Sequence, residues 1–369
     1  MAEPACITRI NKNARRDNID LTVLPFVTHA LTSIVDLSKP LPKPLPSFSN
    51  ASRIDTHVHP VPSWFRNLQP LAAGRETPTW NLSLHLDFMA EHNIKHSILC
   101  ISTPQANAFP GNREKTVALA RILNEFAGEL VRAFPERFSF LAVTALPYVE
   151  ESITEIQYAL NELGAVGLGM LTNHEALYPG DEKFRPLWES LQARDSNKEI
   201  VFIHPTDPVI NFSGNLVNSK PSPLRSGLGE FYFETARAIS SITASRTIIE
   251  FPKLHWRVSH GAGAFPDIQD RFLLGFPNDA EEARKIYATR FWYDSAGPVY
   301  PRQIKGLLAH DVPISQFVFG TDYPYGIGFW DVNANIAGLA DADFLSREEK
   351  NAVFYRNAEE LWKGKIYNL

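Results

Sequence analysis

Only two of the 369 residues are cysteine, Cys6 and Cys100, and they lie far apart. A disulfide framework is thereby excluded, and the thiols read as free, which fits a reducing, cytoplasmic compartment. Basic charge is not in excess: 36 Lys and Arg against 41 Asp and Glu give a formal charge of −5. Nucleic acid or an anionic membrane would call for a concentrated basic surface, so neither is expected as a partner. The apolar stretch Leu21–Val35 is too short to span a bilayer as a helix. It follows Lys12, Arg15 and Arg16 in the manner of a signal peptide, yet Asp17, Asp20, Pro25 and His29 break that pattern. An amphipathic helix packing on the following domain is the preferred reading. No GxGxxG loop opens a helix and no phosphate-binding P-loop occurs, so no organic cofactor is expected.

What is present is alternation. After a proline-rich linker, Pro40–Ser52, apolar strand-like runs alternate with helix-period segments. The expected strands are Arg53–His57, Ser97–Ser102, Phe138–Ala145, Ala165–Leu171, Ile200–His204, His255–Ser259, Phe291–Asp294 and Phe317–Gly320. Most are continuously apolar, as parallel strands covered by helices should be. Eight such strands in α/β alternation predict a (β/α)8 TIM-type barrel over 53–369, preceded by an N-terminal extension, 1–52. A doubly wound open sheet is the alternative. Two long connections, Pro60–Asn81 and Asp207–Glu230, leave the C-terminal ends of the first and fifth strands. Barrel enzymes keep their sites there, so both read as walls or lids.

The chemistry-bearing residues fall at the same rim. In the first strand, IDTHVHP, residues two apart share a face, so His57 and His59 can bind one ion. A lone HxH is weak evidence. His204, however, ends the fifth strand, His260 ends the sixth and Asp322 ends the eighth. Imidazoles with a carboxylate form a nitrogen–oxygen set suited to Zn2+, with Mn2+ or iron as alternatives. The fourth strand, AVGLGMLT, has no lysine that could be carboxylated to bridge two metals, so a single ion is expected.

The segments IDTHVHP, FIHP, FPKLHWRVSHGAGAFP and VFGTDYP resemble the amidohydrolase superfamily, in its aminocarboxymuconate-semialdehyde decarboxylase-like branch, over about residues 53 to 364. The resemblance implies that His57, His59, His204 and Asp322 are the metal ligands, with His260 beside the bound water or substrate. It also implies a homodimer, and matches Arg271 to an arginine that reaches a substrate carboxylate, in some members across the dimer interface. No firm counterpart of a second carboxylate-binding arginine follows the first strand; Arg66 and Arg75 are the nearby candidates. Instead Trp64, Phe212 and Tyr325 suggest aromatic walls for a small, flat aromatic acid. The implied reaction is non-oxidative decarboxylation of such an acid in secondary metabolism, 6-methylsalicylate to m-cresol and carbon dioxide being the expected case. Asp322 is expected to act as acid–base group and His260 as its helper. A hydrolase, lactonase or amidase, using the same ligands is the alternative, since its residue types would be identical.

Overall fold

The structure, a computed structural model, describes residues 3–366. Eight parallel strands close into a barrel: β1 (Arg53–Val58), β2 (Ile94–Leu99), β3 (Phe138–Phe140, continuing into Ala142–Val143), β4 (Leu168–Leu171), β5 (Glu199–His204), β6 (Leu254–Val258), β7 (Phe291–Asp294) and β8 (Phe317–Val318). Each pairs with its sequence neighbour, for example Ser97 with Phe138, Leu171 with His204 and Asp294 with Val318. The ring closes where Thr56 N donates to the Phe319 carbonyl at 2.9 Å and Asp322 N donates to the His57 carbonyl at 2.8 Å. Closure removes the open-sheet alternative.

Strand positions hold where the apolar run is uninterrupted and shift where it is not. β7 has the predicted bounds. β2 begins three residues earlier than Ser97, because Asn93 turns the chain at φ 55° and Ile94 is fully buried. β8 stops at Val318, since the segment to Asp322 leaves the ladder to bring that carboxylate to the rim. Side chains on the inner face form their own cluster, with Ile98, Cys100, Leu141, Ile200, Phe202 and Val318 packed over Trp362. A larger cluster lies between strands and helices.

The N-terminal extension forms two helices, Ala5–Arg16 and Val27–Asp36, where the sequence suggested one over Leu21–Val35. Ile10, Leu24, Ala30 and Ile34 are fully buried in the outer core. Arg9 pairs with Glu125 and Glu129, and Asp17 with Arg121, all on helix Arg113–Ala133. The two long rim connections carry short hairpins, Leu71–Ala72 with Arg75–Glu76 and Val209–Phe212 with Asn215–Asn218. Among the described residues, no helix is long and apolar enough to cross a membrane.

Candidate metal centre

Alternation along β1 places the His57 and His59 rings 4.9 Å apart on one face, with their Nε2 atoms 3.1 Å apart. The opposite nitrogens are already committed. His59 Nδ1 lies 2.7 Å from the Cys100 carbonyl, which can only accept, so the proton sits on Nδ1. His57 Nδ1 donates in the same way to Asp294 Oδ2 at 2.8 Å. Both Nε2 atoms are therefore lone pairs aimed at one another. Asp322 Oδ1 joins them, 3.0 Å from His59 Nε2 and 3.6 Å from His57 Nε2. His204, at the end of β5, brings its ring to 4.7 Å from His59, and its buried Nδ1 has no hydrogen-bond partner.

One donor atom from each of His57, His59, His204 and Asp322 lies within 4.8 Å of all the others, and all four residues are buried. Proton-free donors converging in a dry site repel one another unless a cation lies between them. The set thus fits a single divalent ion, and its chemistry of three imidazoles and one carboxylate suits zinc or manganese. Burial pushes His57 down to about 4 and His204 well below its ordinary value, so neither competes for the site as a cation. Burial works the other way on Asp322, but His260, His59 and His57 around it prevail and hold it ionised. Asp322 also sits at φ 59° and His260 at φ 53°, a left-handed backbone that non-glycine residues enter at a cost and that recurs at functional sites.

His260 is outside the ligand set. Its Nε2 is 3.7 Å from Asp322 Oδ2, too long for a hydrogen bond but close enough for charge to be felt. Its ring stacks on Tyr232 with centroids 5.9 Å apart, and its backbone N–H donates to Asp294 Oδ1 at 2.8 Å.

Asp294 is the residue that the sequence reading passed over. One oxygen takes His57 Nδ1 and Arg257 Nη1 (2.7 Å), while the other takes the His260 and Ala296 backbone N–H groups. Burial raises a carboxyl, yet His57, Arg257 and His260 outweigh it and hold Asp294 well below the usual range. The signal was available: Asp294 ends FWYD as Asp322 ends VFGTD, a carboxylate just past a buried strand. Asp55 is also fully buried and accepts from His57 N, Thr321 N and Thr321 Oγ1, tying β1 to the segment that presents Asp322.

Above the ligands opens a cavity of about 730 Å3, lined by His204, His260, Asp322, Tyr325, Tyr232 and Trp330 among others. Tyr325 takes the wall position expected of it, its ring 5.4 Å from His59. Two expected substrate contacts, Trp64 and Phe212, are corrected. Trp64 is buried against the N-terminal extension, stacked on Phe26 and donating to Ser33 Oγ at 2.9 Å, and does not line the cavity. Phe212 sits on the hairpin after β5, 69% exposed and away from the cavity wall. Arg271 is exposed on helix Phe265–Leu273 and does not enter the cavity of its own chain. Of the two arginines after β1, Arg66 caps the Thr77 carbonyl, whereas Arg75 lines the cavity and bonds the Tyr325 and Ile327 carbonyls.

A sequence-family model described as Amidohydrolase matches residues 54–364. The chain belongs to the amidohydrolase family. Within that family's reach, it is 29% identical to a 6-methylsalicylic acid decarboxylase of Penicillium expansum, over 84% of this chain and 96% of that one. A crystal structure of an amidohydrolase II superposes with a TM-score of 0.73 at 27% identity, covering 84% of this chain and 99% of the other. A 5-carboxyvanillate decarboxylase of Novosphingobium aromaticivorans, complexed with manganese and 4-hydroxy-3-methoxy-5-nitrobenzoic acid, shares the fold with a TM-score of 0.72 at 18% identity, over 88% and 100% of the two chains. The family expected from the four sequence segments is the family found.

Proposed function

We propose that this chain catalyses the metal-dependent, non-oxidative decarboxylation of an aromatic carboxylic acid, 6-methylsalicylate giving m-cresol and carbon dioxide. The observation that carries this is the placement of Asp322. One of its oxygens faces the imidazole ligands, the other faces His260, and the residue lines a largely apolar cavity that opens to solvent. A carboxylate so placed is both ligand and proton carrier for a ring held over it. The relative named for 6-methylsalicylic acid supports that substrate, since the alignment spans nearly all of it.

The roles follow from position. His57, His59, His204 and Asp322 hold the ion. A divalent ion held there would supply Lewis acidity to orient an acid without redox chemistry. Asp322 rests as an anion, so it takes its proton from His260. It then hands that proton to the ring carbon that bears the carboxylate. The bond from ring to carboxylate breaks, its electron pair returns to the ring, and carbon dioxide leaves. His260 restores the proton from solvent. Tyr325 and the apolar walls exclude water while this happens.

Zinc suits the donor set, while the 5-carboxyvanillate decarboxylase of the same fold holds manganese; elemental analysis of protein purified without added metal decides between them. The two unpaired cysteines support a cytoplasmic compartment. Arg271 meets a substrate only in an assembly where a second copy faces its helix, and a homodimer by light scattering is the expected state. The deciding experiment is incubation of metal-analysed protein with 6-methylsalicylate, following carbon dioxide and m-cresol by mass spectrometry. Metal-dependent m-cresol establishes the reaction; bound metal with no product from any salicylate, and turnover of a lactone or amide, replaces it by hydrolysis.

A further inference from the structure

The cavity is larger than this reaction on a single small ring requires. At about 730 Å3 it lies in the upper part of the range that encloses drug-sized ligands, whereas a methylsalicylate is one ring with small substituents. Its inner end is the ligand cluster. Its outer walls come from Leu228, helix Glu230–Ala244 at Phe233, helix Phe265–Leu273 at Pro266, and helix Arg302–Ala309 at Gly306. Missing side chains keep the space open. A Cβ built at Gly306 meets nothing within 4 Å, and one at Gly297 meets only Tyr232 Oη at 3.7 Å and His260 Cδ2 at 3.8 Å. Gly297 turns the chain at φ 87°, which accounts for its glycine, whereas Gly306 lies within a helix where neither backbone nor neighbour requires one, so the vacancy there is room rather than packing. The rim carries exposed apolar surface, Leu228 at 59% and Phe233 at 51%, beside the charged Asp267 and Arg302. Apolar surface continuous with a reaction cavity is stabilised by an apolar ligand that covers it.

We infer that the acid this site takes carries an extended apolar substituent, an alkyl or aryl chain that runs from the ligand cluster to Gly306 and Phe233. This rests on the decarboxylase reading above and widens its substrate to a class of which 6-methylsalicylate is the smallest member. Each methylene buried along that wall favours binding severalfold, so chain length should be read directly in kcat/KM.

The test compares salicylates carrying pentyl at ring position 4, 5 or 6 with their methyl counterparts, using metal-loaded, full-length protein. At least one pentyl isomer is expected to exceed its methyl partner by about tenfold or more in kcat/KM. Gly306→Leu, which fills the open wall within a helix that tolerates leucine, should bring that ratio to within about threefold of unity. Phe233→Ala, at an exposed position, should lower the same ratio and serves if the leucine variant does not fold. Equal or lower kcat/KM for all pentyl isomers overturns the inference, as does a pentyl preference that both variants leave intact. Should no acid be decarboxylated, the reaction reading fails on its own. The chamber is then read by quenching of tryptophan fluorescence with 3-pentylphenol and 3-methylphenol. Tighter binding of the pentyl compound, lost in Gly306→Leu, sustains the chamber, and equal affinity overturns it, as it would if a second copy of the chain filled the rim.

Discussion

Replacing Asp294 with Asn exchanges one carboxylate oxygen for an amide nitrogen, and should loosen the metal centre without touching a ligand. In the native chain Asp294 Oδ2 receives both His57 Nδ1 and Arg257 Nη1. Arg257 is fully buried, its guanidinium 3.4 Å from the centre of the Phe202 ring, and no other carboxylate among the described residues lies within ion-pair distance. Asparagine leaves that charge uncompensated, a loss of about 3–5 kcal/mol for a broken buried pair. The amide also turns an N–H toward His57 if its oxygen keeps the His260 and Ala296 backbone bonds. His57 must then accept on Nδ1 and carry its proton on Nε2, which is the nitrogen that faces the ion. Metal affinity should fall about 10–100-fold, the usual penalty for losing the partner that orients a ligating histidine. Competition with a chelator reads the affinity, and urea denaturation of the metal-free protein reads the stability. The double variant Asp294→Leu with Arg257→Met separates the effects: stability should partly return, because an apolar pair replaces a charged one, while metal affinity should not. If Asp294→Asn keeps native metal affinity and native stability, the tautomer argument is wrong.

Three other outcomes are expected. Asp322→Asn should reduce kcat far more than it raises KM, because the proton carrier is lost while the cavity walls stay; an unchanged rate removes Asp322 from the proton path. Acid should unfold the protein early. Burial pushes His85 and His174 down to about 3, and His96 and His255 down to about 4, from 6.5. Their folded values lie below the unfolded one, so the stability is complete above pH 6.5 and is lost as pH falls toward the folded values, about 2 kcal/mol per group by pH 5. Asp55, pushed up to about 7 by burial, works in the opposite sense; a urea midpoint that stays level from pH 7 to 5 contradicts the balance. Truncation before Phe48 should prevent folding. It removes Ile10, Leu21, Leu24 and Ile34 from the core, worth roughly 1.5–3 kcal/mol each, a sum comparable with a whole domain's stability of about 5–15 kcal/mol. A soluble truncated barrel with a cooperative transition refutes that.

The barrel and the rim positions of the candidate ligands were legible because both are written locally, although the same signal marks His260, which only the family resemblance set apart from the other four. Strand period places His57 beside His59, and the position just past an apolar run places His204 and Asp322, with no need to know what lies opposite. The parts that escaped are set by distant neighbours. Trp64 looks like a ligand wall in a rim loop, and only the packing of Phe26 and Ser33 from the extension shows that it is core. Phe212 falls on an exposed hairpin that does not line the cavity, a placement that loop composition does not encode. Asp294 needed Arg257 and His57 to be seen as its partners, and these lie 37 and 237 residues away in the chain. Long-range polar pairing is the part of a site that single-sequence periodicity cannot carry.

Charge balance in the buried site bears on which substrate it accepts. Burial favours the protonated form of Asp55 at and below neutrality, so Asp294 and Asp322 stand as anions against the fully buried guanidinium of Arg257, with Arg75 a second, partly exposed guanidinium at the cavity wall. The histidine ligands His57 and His204 are neutral there. Among these fully buried groups one negative charge remains; a divalent cation would turn it into one positive charge, and Arg75 at the wall adds to it. An aromatic carboxylate cancels that charge, whereas a neutral lactone or amide leaves it standing in a low-dielectric cavity. Once carbon dioxide has left, the product is a neutral phenol, which the positive site has no electrostatic reason to retain. Binding of acid and release of phenol are thus driven by the same imbalance, which favours decarboxylation over hydrolysis on this set of ligands. The comparison that checks it is inhibition by the methyl ester of 6-methylsalicylate against a non-reacting acid of the same shape: tighter binding of the acid supports the argument, and equal inhibition removes it.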